Sequence, residues 1–230
     1  MLECRKLRIL NGTKELLNID FKLNGSLALV GQSGSGKSLT LKAILGLLPR
    51  NLTCEADFNA DFHLEAGKTI AFVPQNPFTA LSPMTKISKQ FFAPEIKQKE
   101  CINMVGLDEA VLKRFPSELS GGQLQRVIIA MAAAQNPKLL LLDEPTTALD
   151  FDIKERIIVL LEELHKKIGF EMIFVTHELS LANRICLECV VLKDGRVVES
   201  GSSEQLFAAP SSEYTKTLLN TGFSNRSFRE

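Results

Sequence analysis

The apolar residues of this chain fall into short blocks separated by polar stretches, and the period of each block predicts its element. Near the start, CRKLRIL and the run ending in FKL read as two strands joined at Asn11-Gly12, a dipeptide suited to a tight hairpin turn. SLALV, TIAFV, KLLLLD and EMIFVTH are apolar at successive positions, the mark of strands buried on both faces. SLTLKAILGLL predicts a helix closed by Pro49, and GGQLQRVIIAMAAAQ and IKERIIVLLEELHKKI predict two more. A weaker strand pattern covers Ala56 to Leu64. Buried strands alternating with helices predict an α/β fold, a parallel sheet covered by helices with an antiparallel β part at the N-terminal end. From Gln75 to Leu119 the chain turns polar and helical, so a small helical subdomain over about residues 76–125 is expected as an insertion in a single domain of residues 1–230. CVVLKDGRVVESG reads as a hairpin turning at Asp194-Gly195, followed by a helical tail.

Composition narrows the partners. The 27 basic and 27 acidic residues cancel, so no global field draws the protein to nucleic acid or anionic lipid, and any polyanion it binds must be held locally. No apolar run approaches the roughly 20 residues of a membrane-spanning helix. MLECRKLRIL lacks the apolar stretch of a signal peptide, and a soluble cytoplasmic protein is the expectation. Five cysteines, an odd number without framework spacing, fit a reducing compartment. Cys186 and Cys189 form a CxxC where a helix gives way to an apolar strand, and they are expected to be buried structural thiols rather than a metal or redox site.

The chemistry begins at Gly31-Gln32-Ser33-Gly34-Ser35-Gly36-Lys37-Ser38, which fills the GxxxxGK[ST] pattern between a predicted strand and a predicted helix, the setting of a P-loop NTPase core. Glycines let the backbone wrap phosphates with its N–H groups inward, and the helix start adds partial positive charge. Lys37 is placed to reach the β- and γ-phosphates of ATP, and Ser38 to give its hydroxyl to Mg²⁺. The apolar strand LLLLD delivers Asp143 and Glu144 at its carboxyl end: Asp143 is assigned to Mg²⁺, and Glu144 to the attacking water.

Leu119-Ser120-Gly121-Gly122-Gln123 then decides among P-loop proteins, because it matches the LSGGQ signature of the ABC ATPases and lies upstream of the Asp143 strand. A Ser-Gly-Gly turn opening a helix is both an N-cap and an anion site. The chain resembles the ABC nucleotide-binding domains from Cys4 to about Leu219. That resemblance implies that Ser120, Gly121, Gly122 and Gln123 serve the nucleotide held by a second ATPase subunit. It also implies that Gln75 is a glutamine reaching Mg²⁺ and the water, that Ala148-Leu149-Asp150 is the D-loop, and that His177 is the switch histidine contacting the γ-phosphate. Within the family the chain is most similar to the importer ATPases for oligopeptides, dipeptides and nickel, on PQNPFTALSPMT, FPSELSGGQLQR, DEPTTALD and GSSEQLFAAPSSEYTKTLL.

The sequence departs from that group in particular places. No aromatic precedes Phe21 to stack on adenine, and Leu10 or Asn11 stands at about that place. The stretch from Gln75 to Leu119 is shorter than in peptide importers, Ser212-Glu213 replaces His-Pro in the tail, and the cysteine-bearing extension of that group is missing. The compact length leans toward a nickel-type subunit. The resemblance implies ATP and Mg²⁺ as cofactors, two membrane permease subunits, an extracytoplasmic substrate-binding protein, and a place on the cytoplasmic face of the membrane. An ABC ATPase acting on nucleic acid or ribosomes is the alternative. A single domain, no heptads and zero net charge argue against it, so no nucleic-acid partner is expected.

Overall fold

The structure, a computed structural model, describes residues 1–147 and 149–224. In chain order its strands and helices are β1 (Leu2–Asn11), β2 (Lys14–Leu23), β3 (Ser26–Val30), α1 (Lys37–Ile44), β4 (Thr53–Ala60) and β5 (Ile70–Val73). There follow α2 (Pro77–Ala80), α3 (Ile87–Gln90), α4 (Glu95–Met104), two short 3-10 turns, α5 (Gly121–Ala134), β6 (Leu139–Asp143) and α6 (Phe151–Ile168). The last elements are β7 (Glu171–Thr176), α7 (Leu179–Ile185), β8 (Glu188–Lys193), β9 (Arg196–Ser202), α8 (Ser203–Ala208) and α9 (Glu213–Ser224). They form two compact units, one of Met1–Leu64 with Glu171 onward, the other Glu65–Phe170.

In the first unit the strands lie in the order β4-β1-β2-β9-β8-β3-β7. β1 pairs antiparallel with β2 and β4, β8 with β9, and β3 runs parallel to both β7 and β8. Period-two alternation explains the antiparallel part: Leu7, Ile9, Leu17, Ile19, Phe21 and Leu23 are buried while their neighbours reach solvent. β3 is buried at every residue, as its unbroken apolar run requires.

Two boundaries differ from the sequence reading. The helix after the glycine-rich loop ends at Ile44, ahead of Pro49. Gly46 takes φ 68°, its N–H bonds Ala43 O at 3.1 Å, and Leu47 N–H bonds Lys42 O at 2.8 Å. That pairing is a Schellman ending, and a glycine supplies it sooner than the proline can. The weak strand begins and ends earlier than Ala56–Leu64, at Thr53–Ala60, because β1 pairs with it from Leu10 opposite Thr53 to Leu2 opposite Ala60.

The second unit holds the parallel pair β5 and β6. α5 buries Leu124, Val127, Ile128 and Ile129, and α6 buries Ile157, Ile158, Leu160, Leu161 and Leu164 along one stripe. Gly169 caps α6 at φ 75°, after a last turn in which Lys166 and Lys167 complement the helix dipole. The segment expected to be helical contains α2, α3 and α4, of which only α4 is longer than one turn; it buries Cys101 and Ile102.

Candidate nucleotide site

The first unit builds a glycine-rich loop between β3 and α1. β3 runs into Gly31, where any Cβ would stand 2.3 Å from Leu192 O, so only glycine lets the loop leave the sheet beside β8. Gly34 (φ 82°) and Gly36 (φ 107°) occupy the left-handed region and turn the backbone into α1. Gln32, Ser33 and Gly34 form the exposed rim, whereas Ser35 and Lys37 are buried beneath it. Lys37 is only 5% exposed and its ammonium donates to Gly31 O at 2.6 Å and Gln32 O at 3.0 Å. Ser35 Oγ is buried without a hydrogen-bond partner among the described residues. A buried cation, an orphaned hydroxyl and a helix start around one glycine-rich loop are the donor set a polyphosphate requires. Ser38, half-buried in the first turn of α1, carries the hydroxyl suited to a hard cation beside those phosphates.

His177 belongs to the same unit. Val30 of β3 pairs directly with Thr176 of β7, so the cradle and His177 leave adjacent strands from matched positions. The His177 side chain is half-exposed, with Nε2 4.0 Å from Glu178 Oε1. Thr176 Oγ1 accepts the Glu178 N–H at 3.0 Å and fixes the turn that follows.

The second unit gathers the acidic groups. Val73 pairs with Leu142, so Pro74-Gln75 and Asp143-Glu144 emerge from neighbouring parallel strand ends. Gln75 is exposed and Asp143 half-buried. Glu144 has φ 46°, an uncommon conformation for a bulky residue, and Thr147 holds it with Oγ1 to Glu144 Oε2 at 2.8 Å and N–H to Glu144 O at 3.1 Å. Such backbone strain, retained and braced, is a pointer to function. Ser120 caps α5: its Oγ accepts Gln123 N–H at 3.3 Å while Gln123 Oε1 accepts Ser120 N–H at 3.0 Å. Gln123 is thereby explained as half of a capping box. Gly122 has no room for a side chain because a Cβ would meet Ile153 Cγ2 at 2.7 Å, and the Phe78 ring lies beside Gly121. In the D-loop string, Ala148 falls outside the described residues, and Asp150 is the N-cap position of α6.

Residues 15–147 match the family described as ABC transporter. The chain belongs to the ABC transporter family. It is 36% identical over 232 residues to the oligopeptide transport ATP-binding protein OppD of Bacillus subtilis (strain 168), which covers 88% of this chain and 64% of that protein. It is 37% identical over 234 residues to the metal-staphylopine import system ATP-binding protein CntD of Staphylococcus aureus (strain NCTC 8325 / PS 47), covering 89% of this chain and 85% of that one. An uncharacterized ABC transporter ATP-binding protein of Escherichia coli (strain K12), YejF, is 36% identical over 89% of this chain, which spans 44% of YejF. The chain thus spans less than two thirds of the length of OppD and less than half that of YejF. Among solved structures, the dimeric bacterial ABC transporter cassette MJ0796 superposes with a TM-score of 0.74 at 29% identity, covering 88% of this chain and 99% of that one. The structure of an ATP binding subunit of an ABC transporter gives a TM-score of 0.77 at 24% identity over 95% of this chain and 99% of that one, a likeness of fold.

Its relatives include proteins named for oligopeptide transport and for metal-staphylopine import. Among the described residues no helix is long and apolar enough to cross a membrane. Cys186 and Cys189 are buried, and burial pushes the Cys186 thiol well up and the Cys189 thiol to about 12, so neither offers a thiolate near neutral pH. Sequence reasoning missed the residues that brace the glycine-rich loop: Leu192 and Gly195 of the β8–β9 hairpin and Tyr214 of α9. Gly195 N–H donates to Ser35 O at 3.2 Å, and the Gln32 N–H donates to the Tyr214 hydroxyl at 3.1 Å. The one signal available was that Tyr214 is the single tyrosine of the chain, in the string it shares with the importer group.

Proposed function

We propose that the chain is the ATP-hydrolysing subunit of an ABC importer whose cargo is a peptide, or nickel or another metal complex. Lys37 would hold the β- and γ-phosphates, and Ser38, Asp143 and Gln75 would hold Mg²⁺, directly or through water. Bound Mg²⁺ would supply charge neutralisation across the phosphate oxygens. Glu144 is the base that takes the proton of the attacking water, and His177 orients that water and contacts the γ-phosphate. Ser120 and the glycines after it, at the start of α5, would close over the nucleotide of a second ATPase subunit. Because these contacts to the γ-phosphate exist only with ATP present, they favour a closed dimer over separated subunits, and hydrolysis releases it.

The carrying observation is the coexistence in one chain of a glycine cradle with a buried cation and a Ser-Gly-Gly helix start under a capping box. Exposed apolar side chains in the second unit, Met84 (85%), Phe92 (92%) and Ile96 (75%), support docking of two membrane permeases there, on the cytoplasmic face. An extracytoplasmic binding protein would deliver the cargo. Titration with a fluorescent ATP analogue tests the cradle: wild type should saturate, and Lys37→Ala should show no saturable site, since the phosphates lose their main cation. Equal affinity in the variant would remove the assignment. Hydrolysis by the chain reconstituted with its permeases, stimulated by binding protein loaded with peptide or with a nickel chelate, separates the cargoes.

A further inference from the structure

The C-terminal helix reaches the cradle through one side chain. Tyr214, in the first turn of α9, accepts the Gln32 N–H on its hydroxyl at 3.1 Å. That N–H belongs to the same planar peptide unit as the Gly31 carbonyl, which accepts the Lys37 ammonium at 2.6 Å. The Gly31–Gln32 peptide is therefore held at both ends, by Tyr214 on its donor and by Lys37 on its acceptor. Rotating this peptide would break both bonds together.

Tyr214 is itself fixed from several directions. Ser212 Oγ accepts the Thr215 N–H at 3.0 Å, and Thr215 is fully buried, so the first turn of α9 has a set position. Glu199 accepts the N–H groups of Ser211 at 2.7 Å and Ser212 at 3.1 Å, which ties that turn to β9. The Lys193 ammonium stands 5.1 Å from the centroid of the Tyr214 ring, within cation–π range. Lys193 and Glu199 flank the hairpin turn whose Gly195 bonds Ser35 O, so hairpin and helix brace the loop at separate points.

We propose that Tyr214 is a positioning residue for ATP: by anchoring the Gln32 N–H it sets the peptide whose carbonyl holds Lys37, and so pre-arranges the cradle cation for the phosphates. The cost of arranging a loop at the moment of binding is subtracted from affinity, and a loop already set avoids it. The inference rests on the cradle reading above.

Tyr214→Phe keeps the ring and its contact with Lys193 and removes only the acceptor. Titration of a fluorescent ATP analogue with Mg²⁺ should show binding weakened about three- to tenfold, the effect of one net hydrogen bond. The melting temperature should stay near wild type, and amide exchange at Gln32 should quicken. Gln32→Pro deletes the N–H, so in that background Tyr214→Phe should cost nothing further. Affinity within twofold of wild type for Tyr214→Phe, or losses that add in the double variant, would overturn the proposal. Lys37→Ala, run alongside, separates the two readings: if it binds as tightly as wild type the cradle assignment falls and this inference with it. If Lys37→Ala abolishes binding while Tyr214→Phe binds normally, the Tyr214 role alone is wrong.

Discussion

Replacing Gly195 with alanine probes the brace under the cradle at its tightest point. Gly195 sits at φ 76°, and a Cβ there would stand 2.1 Å from Leu16 O, 2.8 Å from Leu16 C and 3.1 Å from Leu17 Cα. Every one of these atoms is backbone, so no side-chain rotation relieves the overlap. The β8–β9 turn must move off β2, which stretches the Asn18 N–H to Gly195 O bond of 2.8 Å and the Gly195 N–H to Ser35 O bond of 3.2 Å. The left-handed conformation costs a non-glycine residue about 1–2 kcal/mol. Forcing packed groups apart costs about 1–3 kcal/mol more, so the total is about 2–5 kcal/mol. Gly12→Ala supplies the comparison, because Gly12 has φ 59° with nothing within 4 Å of a Cβ and carries the conformational cost alone, about 1–2 kcal/mol. Urea unfolding of both variants at one pH should show unchanged slopes and a clearly lower midpoint for Gly195→Ala. ATP affinity should also fall in Gly195→Ala and hold in Gly12→Ala, since only the former loosens Ser35. Equal midpoints would refute the claim that the hairpin turn is wedged against β2 and supports the loop.

Two further outcomes follow from particular residues. With Leu10 and Asn11 where an adenine-stacking aromatic is expected, the phosphate contacts that ATP and GTP share should carry the affinity, and GTP should support hydrolysis within about tenfold of ATP. Side-by-side kinetics checks this, and a hundredfold preference for ATP would mean another group grips the base. At Glu199, burial alone would raise the carboxyl, but hydrogen bonds from Thr215, Ser211 and Ser212 outweigh it and hold the group below its usual range. A depressed carboxylate contributes stability that is present above the unfolded value, about 4.3, and is lost as pH falls through the folded one. Glu199→Gln should therefore lower the melting temperature near neutral pH and shrink the difference from wild type in acid, whereas parallel melting curves at every pH would count against it.

How far the sequence revealed this protein depends on what each feature requires. Strands such as SLALV and KLLLLD were legible because full burial demands apolar residues at every position, and the cradle because its glycines have no substitute. Pro49 misled because a helix stop can come from any residue able to adopt a positive φ, and Gly46 stood closer. The strain at Glu144 depends on local backbone angles that residue identity does not announce, whereas the capping box was readable from Ser120 and Gln123 three residues apart ahead of an apolar run. Tyr214 and Gly195 brace the loop from far along the chain, and long-range contacts of this kind carry no local period or spacing.

Glu144 is where the central claim can be tested most directly. Glutamine keeps the shape and hydrogen-bonding reach of Glu144 but cannot accept a proton, so hydrolysis should fall by about 10² or more while ATP still binds. With the γ-phosphate retained, Ser120 and Gly122 of a second subunit should stay engaged. Mg-ATP should then shift Glu144→Gln from monomer to dimer in size-exclusion chromatography, with itself or with its partner ATPase. Adding Ser120→Arg should return it to monomer. Steady-state hydrolysis by Glu144→Gln, with nucleotide affinity measured in parallel, is the deciding measurement: retained affinity with hydrolysis lost supports Glu144 as the base of an ATP-driven subunit, and hydrolysis at the wild-type rate would contradict it.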